Sequence, residues 1–234
     1  MTRRETLRLM AMTATAAVTG PPTKGESAMP EKAASAAPSP AEHVIKPLPF
    51  DPARIEGLSE RLLVSHHQNN YGGAVKRLNL IEQRIRELPA DAAPFQMGSL
   101  KREQLIARNS MVLHELYFAN LGGSGGATGA LAESLQKSFG SLQAWEKDFR
   151  LTGMSLGGGS GWVFLCSDPA TGTLFNAWSW DHGHFPAGAR PLLVMDMYEH
   201  SYHIDYGADA KSYVDAFFRN IRWEEVARRM SAPA

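Results

Sequence analysis

Apolar positions fall at helical spacing through the first half of the folded chain and at strand spacing just after residue 160. Between 59 and 87, Leu62, Leu63, His66, Val75, Leu78, Ile81 and Ile85 share one broad stripe, the pattern of an amphipathic helix that Pro89 closes. Gly72-Gly73 interrupts it. Each Gly costs about 1 kcal/mol relative to Ala inside a helix, so the pair predicts close packing against another backbone, or a bend. His66 and His67 lie ~100° apart, so only one of them can point inward. A second helix is predicted over 101–119, with Ile106, Ser110, Leu113, His114, Tyr117 and Phe118 on its inner side and Gly122-Gly123 after its end. Two more are predicted over 131–139 and 142–156, the latter opened by Ser141. The period then changes. Residues 162–166 read as a strand, 168–172 as a turn and 173–179 as the returning strand of a hairpin. The apolar run 191–195 reads as a third, buried strand, followed by helices over 210–220 and 223–229. This order gives a helical N-terminal half and a small α+β C-terminal half.

Ahead of residue 43 the pattern fades. Residues 20–42 are rich in Ala, Pro, Ser and Lys and cannot bury enough apolar surface to offset ordering, which predicts a disordered linker. The first 18 residues carry Arg3-Arg4 and Leu7 before a weakly apolar stretch, the layout of a twin-arginine export signal. That stretch is too short and too weak to span a bilayer. The expected location is therefore the periplasm or another exported compartment. Folded structure is expected from the Pro-bearing segment 43–50 onward.

The 234 residues are enough for one or two modest domains, and 24 basic residues balance 24 acidic ones. Global charge thus favours neither nucleic acid nor an anionic membrane. The single cysteine, Cys166, sits in an apolar run. It excludes a disulfide framework within the chain and cysteine-rich zinc or iron–sulfur sites.

The candidate chemistry lies where the third strand ends, in Asp196-Met197-Tyr198-Glu199-His200. If the chain turns helical there, Asp196 and His200 project from one face, about one turn apart. Two ligands are too few for a transition metal, but the upstream helices add His66 and His114. Three imidazoles and a carboxylate suit iron, manganese or zinc and lack the thiolate of a blue-copper site. The Gly-rich stretch 122–126 follows a helix and has no Walker lysine, so it is a link rather than a phosphate cradle.

Across 44–229 the chain resembles the iron/manganese superoxide dismutase family. Asp196-x-x-Glu199-His200-x-Tyr202 is similar to that family's D-x-W-E-H-x-Y, with Tyr198 in place of Trp. Phe139-Gly140-Ser141, Gly159-Ser160-Gly161-Trp162, Leu78-Asn79 and Ile221-Arg222-Trp223-Glu224 carry the rest. The resemblance implies an α+β fold: an N-terminal antiparallel helical hairpin domain over 43–126, then a C-terminal α/β domain over 127–234 with a three-stranded antiparallel sheet. It also implies one Fe or Mn ion per subunit, superoxide as substrate and a homodimer.

As ligands it gives His66, His114, Asp196 and His200. Reading His66-His67-Gln68 as the family's later histidine pair would put a leucine at the ligand position; counting back from Leu78-Asn79 makes His66 the ligand. In that register the family's second histidine is Asn70 and its tyrosine is Ala74, with His67 and Tyr71 as neighbours. The basic residue near the substrate channel falls at Ala210, beside Lys211. The group that hydrogen-bonds metal-bound solvent falls at His182, with His184 as fallback, since Ser110 is too small. The resemblance thus places His182, Tyr202 and Asn70 as catalytic residues around the ligands, Trp162 and Trp178 along the cavity, and Glu199 as a bridge to His200 of the partner subunit. The departures at Asn70 and Ala74 leave a second reading open, a metal-binding dimer of the same fold with little dismutase activity.

Overall fold

A computed structural model describes residues 42–232, which fall in one compact unit. The predicted leader and linker lie outside this range, residue 42 excepted. Among the described residues no helix is long and apolar enough to cross a membrane.

The first long helical run has three parts: α1 (Glu60–Ser65), a π-helical segment (His66–Tyr71) and α2 (Gly72–Arg86). Ser59 caps α1 by accepting the Leu62 N–H. The π turn is wider than an α turn. It buries Tyr71, five residues after His66, and leaves Asn70, four after it, half-buried. Close packing accounts for only one glycine of the pair. A Cβ on Gly72 would lie 3.3 Å from Ile45, in the extended lead-in segment, while Gly73 faces open space.

Helix α3 spans Pro94–Ala119 and so starts well ahead of residue 101. Pro94 occupies a first-turn position, and the Gln96 side chain accepts the Ala93 N–H at 3.1 Å. Helices α4 (Gly129–Phe139) and α5 (Leu142–Met154) follow, with Ser141 capping α5 through the Ala144 N–H. The sheet holds β1 (Trp162–Ser167), β2 (Leu174–Ser179) and β3 (Arg190–Asp196) in the order β2-β1-β3, antiparallel throughout. The central β1 is almost wholly buried, as its unbroken apolar run requires. A register shift near Leu165 lets Pro191 sit on an edge strand without breaking the ladder.

Beyond β3 come a 3₁₀ turn (Glu199–Ser201), then α6 (His203–Tyr206), α7 (Ala210–Arg219) and α8 (Trp223–Ser231). The link after α3 is held against the link between α7 and α8. Gly123 donates to Asn220 O at 3.1 Å, and a Cβ on Gly123 would lie 2.4 Å from the Arg222 Cα. Only glycine permits that approach.

Candidate metal centre

Two helical elements of the first half, the end of the sheet and the turn after it converge on one point. His66 opens the π segment, His114 stands on the inner face of α3, Asp196 ends β3, and His200 lies in the 3₁₀ turn. One donor atom from each lies within 4.8 Å of every other. Asp196 Oδ2 is the focus, 3.1 Å from His66 Nε2, 3.2 Å from His200 Nε2 and 3.6 Å from His114 Nε2. The expected helical turn from Asp196 to His200 does not form. Met197 continues the strand by donating to Gly161 O, and Tyr198 stays extended, so the 3₁₀ turn is what folds His200 back over the carboxylate.

The donor set fits a cation. His114 Nδ1 donates to Ser110 O at 2.6 Å, which leaves a lone pair on Nε2. That Nε2 is buried, has no hydrogen-bond partner among the described residues, and faces a carboxylate oxygen. Two lone pairs opposed in a dry interior are unfavourable unless a positive ion sits with them. Donors about 2.1 Å from one transition-metal ion are separated by roughly 3–3.6 Å at coordination angles of about 90–120°, which matches the spacing around Asp196.

Burial governs the protonation states. It opposes ionisation of Asp196, but the charge and hydrogen bond of His200 and the hydrogen bond of His66 outweigh it and hold the carboxyl well below its usual range. Burial also drives His66 below the ordinary imidazole value. It pushes His114 down to about 3, with His66 adding to the effect and Asp196 opposing it. Both imidazoles are therefore neutral at pH 7, as metal ligands must be. Tyr117, Phe118 and Trp162 form the apolar wall, with ring centroids 5.0–5.2 Å from His66 or His114.

Residues 127–229 match the C-terminal domain of iron/manganese superoxide dismutases. The iron superoxide dismutase of Cupriavidus metallidurans is 53% identical over 189 residues, covering 80% of this chain and 96% of that protein. The chain belongs to the iron/manganese superoxide dismutase family. More distant members agree. Manganese superoxide dismutase 1 of Halobacterium salinarum is 31% identical over 198 residues, 83% of this chain and 98% of that protein. The iron superoxide dismutase of Aquifex pyrophilus is 32% identical over 187 residues, 76% and 86% of the two chains.

Around the four donors of this family member, the other expected residues are placed unevenly. His182 lies close: Trp162 Nε1 donates to its Nδ1 at 2.9 Å, and its ring stacks on Tyr198 at 4.7 Å and lies 6.2 Å from His114. The sheet register explains this, because Trp162 pairs with Asp196 across β1 and β3. Burial keeps His182 neutral, so its proton sits on Nε2. The fallback, His184, is exposed and turned to Asp181 at 2.7 Å.

Tyr202 is buried and stacks on Tyr213 at 5.2 Å, but its hydroxyl has no partner among the described residues. It is Tyr213, and not Tyr202, that reaches the end of β3, donating to Asp196 O at 2.5 Å. Asn70 is half-buried and makes no hydrogen bond to the four donors among the described residues. Trp178 does not line the cavity: it is 47% exposed and packs on Trp180. It pairs with Val163 while its neighbour Ser179 pairs with Trp162, so the strand's alternation sends it to the face opposite Trp162. Lys211 is ion-paired with Asp215 at 2.9 Å.

Sequence reasoning missed Tyr198. Its ring stacks between His182 and His200, at 4.7 and 5.2 Å, and its N–H donates to Asp196 Oδ1. The signal available was its place in the motif, where the family has Trp.

Proposed function

We propose that this protein is a superoxide dismutase that holds one iron or manganese ion on His66, His114, Asp196 and His200. The observation that carries the reading is the unpartnered His114 Nε2 facing Asp196 Oδ2 within a buried cluster of three imidazoles and a carboxylate. When bound, the ion supplies one-electron chemistry in both directions, so that one superoxide is oxidised to O₂ and a second, taking two protons, is reduced to H₂O₂.

The chain's own residues do the rest. The Ser110 carbonyl fixes the tautomer of His114. The Asp196 carboxylate offsets the ion's positive charge. The Tyr117, Phe118 and Trp162 wall excludes bulk water and strengthens electrostatic interactions inside. His182, locked by Trp162, offers its Nε2–H to the water or superoxide oxygen that enters beside the ligands. Asn70 and Ala74 bring no titratable group to the positions where the family has one, so His182 carries more of this work. Tyr202 backs Tyr213, which holds the end of β3 through Asp196 O.

A purified, metal-quantified sample assayed for superoxide removal tests the reading. Full occupancy without activity would leave only the metal-binding dimer. His182→Ala is expected to lower activity about 10–100-fold, or to shift metal preference, with the ion still bound. An unchanged variant would clear His182 of the role.

Three finer readings go with it. The ligand set accepts either metal, and metal analysis with activity of each reconstituted form decides between them. Glu199 is exposed beside His200, which supports a two-fold contact in which it meets His200 of the partner subunit; the mass of the native particle tests this. Arg3-Arg4 with Leu7 supports export, and an unprocessed chain retained in the cytoplasm would overturn it.

A further inference from the structure

The four donors are not equally anchored. His114 rides on a long helix, Asp196 is held in the sheet, and His66 is fully buried. His200 alone has a partly exposed side chain, 25%, and it stands on a single 3₁₀ turn. The C-terminal end of that turn is fixed inside, where Ser201 Oγ donates to Asp196 O at 2.9 Å. That same end continues through Tyr202 into α6, which reaches over the surface to the start of α1. Asp205 accepts twice from Ser59, from its N–H at 2.7 Å and its hydroxyl at 2.6 Å. Ser59 is the N-cap of α1, the helix that leads into His66. Beside this contact, the Tyr206 hydroxyl donates to Gly57 O. The segment carrying His200 is thus tied, on the outside of the molecule, to the segment carrying His66.

We propose that Asp205 is a positioning residue for the metal centre: the Asp205–Ser59 latch holds the His200 turn against the His66 helix and so sets how fast the bound ion is released. The inference rests on the metal-centre reading given above. Both contacts are charge-assisted and they act in two directions at once, so they fix orientation as well as distance. They lie away from the hydrophobic core. Their loss leaves the helices and sheet packed and frees one turn, which is a local opening rather than unfolding. An opening that lifts His200 removes the most accessible of the four donors first.

The test uses the full chain loaded with manganese(II) and mixed with excess EDTA, with release followed by metal analysis of the protein fraction. Asp205→Ala is expected to release the ion about tenfold faster, since hydrogen bonds to a charged group are worth that much or more. Amide exchange is expected to quicken over residues 199–206 and not in α2 or α3. Asp205→Asn, which keeps an oxygen for the Ser59 N–H but not the charge, is expected to fall between, and it serves if Asp205→Ala does not fold. Ser59→Ala is expected to add less in the Asp205→Ala background than in the wild type; the lost helix cap is common to both comparisons and cancels.

Release at the wild-type rate overturns the proposal. So does faster release that merely tracks faster exchange throughout the protein, because the role is then structural. A wild type that takes up no ion removes the metal-centre reading itself. A wild type whose ion is abolished by His114→Ala, with Asp205 variants releasing at the normal rate, removes the latch alone.

Discussion

The metal centre is held from two sides that differ in kind. On the inner side, Arg229 of α8 joins the helix of His114 to the strand of Asp196. Its guanidinium donates to Leu116 O and Asn120 Oδ1 at the end of α3, to Leu192 O in β3, and to Glu225 within α8. Asn120 Oδ1 also accepts the Val194 N–H, so the same side chain touches both elements. These groups are buried. On the outer side, the Asp205–Ser59 and Tyr206–Gly57 contacts are exposed. Water can replace an exposed partner and cannot replace a buried one. The inner side therefore sets whether the site exists, and the outer side sets how often it opens.

Four measurements sharpen or break that contrast. The largest effect is expected from Asp196→Ala, which removes the oxygen that all three imidazoles approach. Stoichiometric metal is expected to be lost on gel filtration, and a variant that keeps a full complement of ion would show that the centre lies elsewhere. Next is Arg229→Ala, which removes at once the interior donor to Glu225, Asn120, Leu192 and Leu116. It is expected to cost about 3 kcal/mol in urea unfolding. A loss as small as that of a surface pair would erase the distinction between the two sides.

Acid comes third. His114, held neutral by burial and pushed down to about 3, refuses a proton that the unfolded chain accepts below about 6.5. Stability of the metal-stripped protein is therefore present in full above pH 6.5 and lost as pH falls toward 3. At pH 5.5 this one residue costs about 1.4 kcal/mol. The lowered values of His66 and Asp196 act in the same direction. A urea midpoint that stays flat from pH 7 to 5 would contradict a dry inner side. The smallest effect is expected from Tyr206→Phe, on the order of 0.5 kcal/mol, because water takes over at Gly57 O. A loss several times larger would mean that the outer side is structural after all.

The elements readable from the sequence were those whose signal is local. The run 191–195 became the core of β3, the Gly-turned hairpin formed as spaced, and Ser141 capped its helix. The start of α3 at Pro94 was missed, since the apolar period that marked the helix was followed only from 101. The Gly72-Gly73 pair marked a bend or close packing, but not the π turn that precedes it. Trp178 and Trp162 looked alike as aromatic strand residues, and only the pairing of β1 with β2 put them on opposite faces.

Sequence alone determined which side chains could serve a metal: three histidines and an acid, with no thiolate to compete, in a chain resembling one family. It also determined the order of helices and strands, because hydrophobic period is a property of neighbours along the chain. Tertiary structure decided that these four donors meet. It decided that His182 belongs beside them and His184 does not, and that Asp205 reaches Ser59. Such facts depend on contacts between segments as many as 146 residues apart, and no local pattern encodes which distant partners will come within hydrogen-bonding reach.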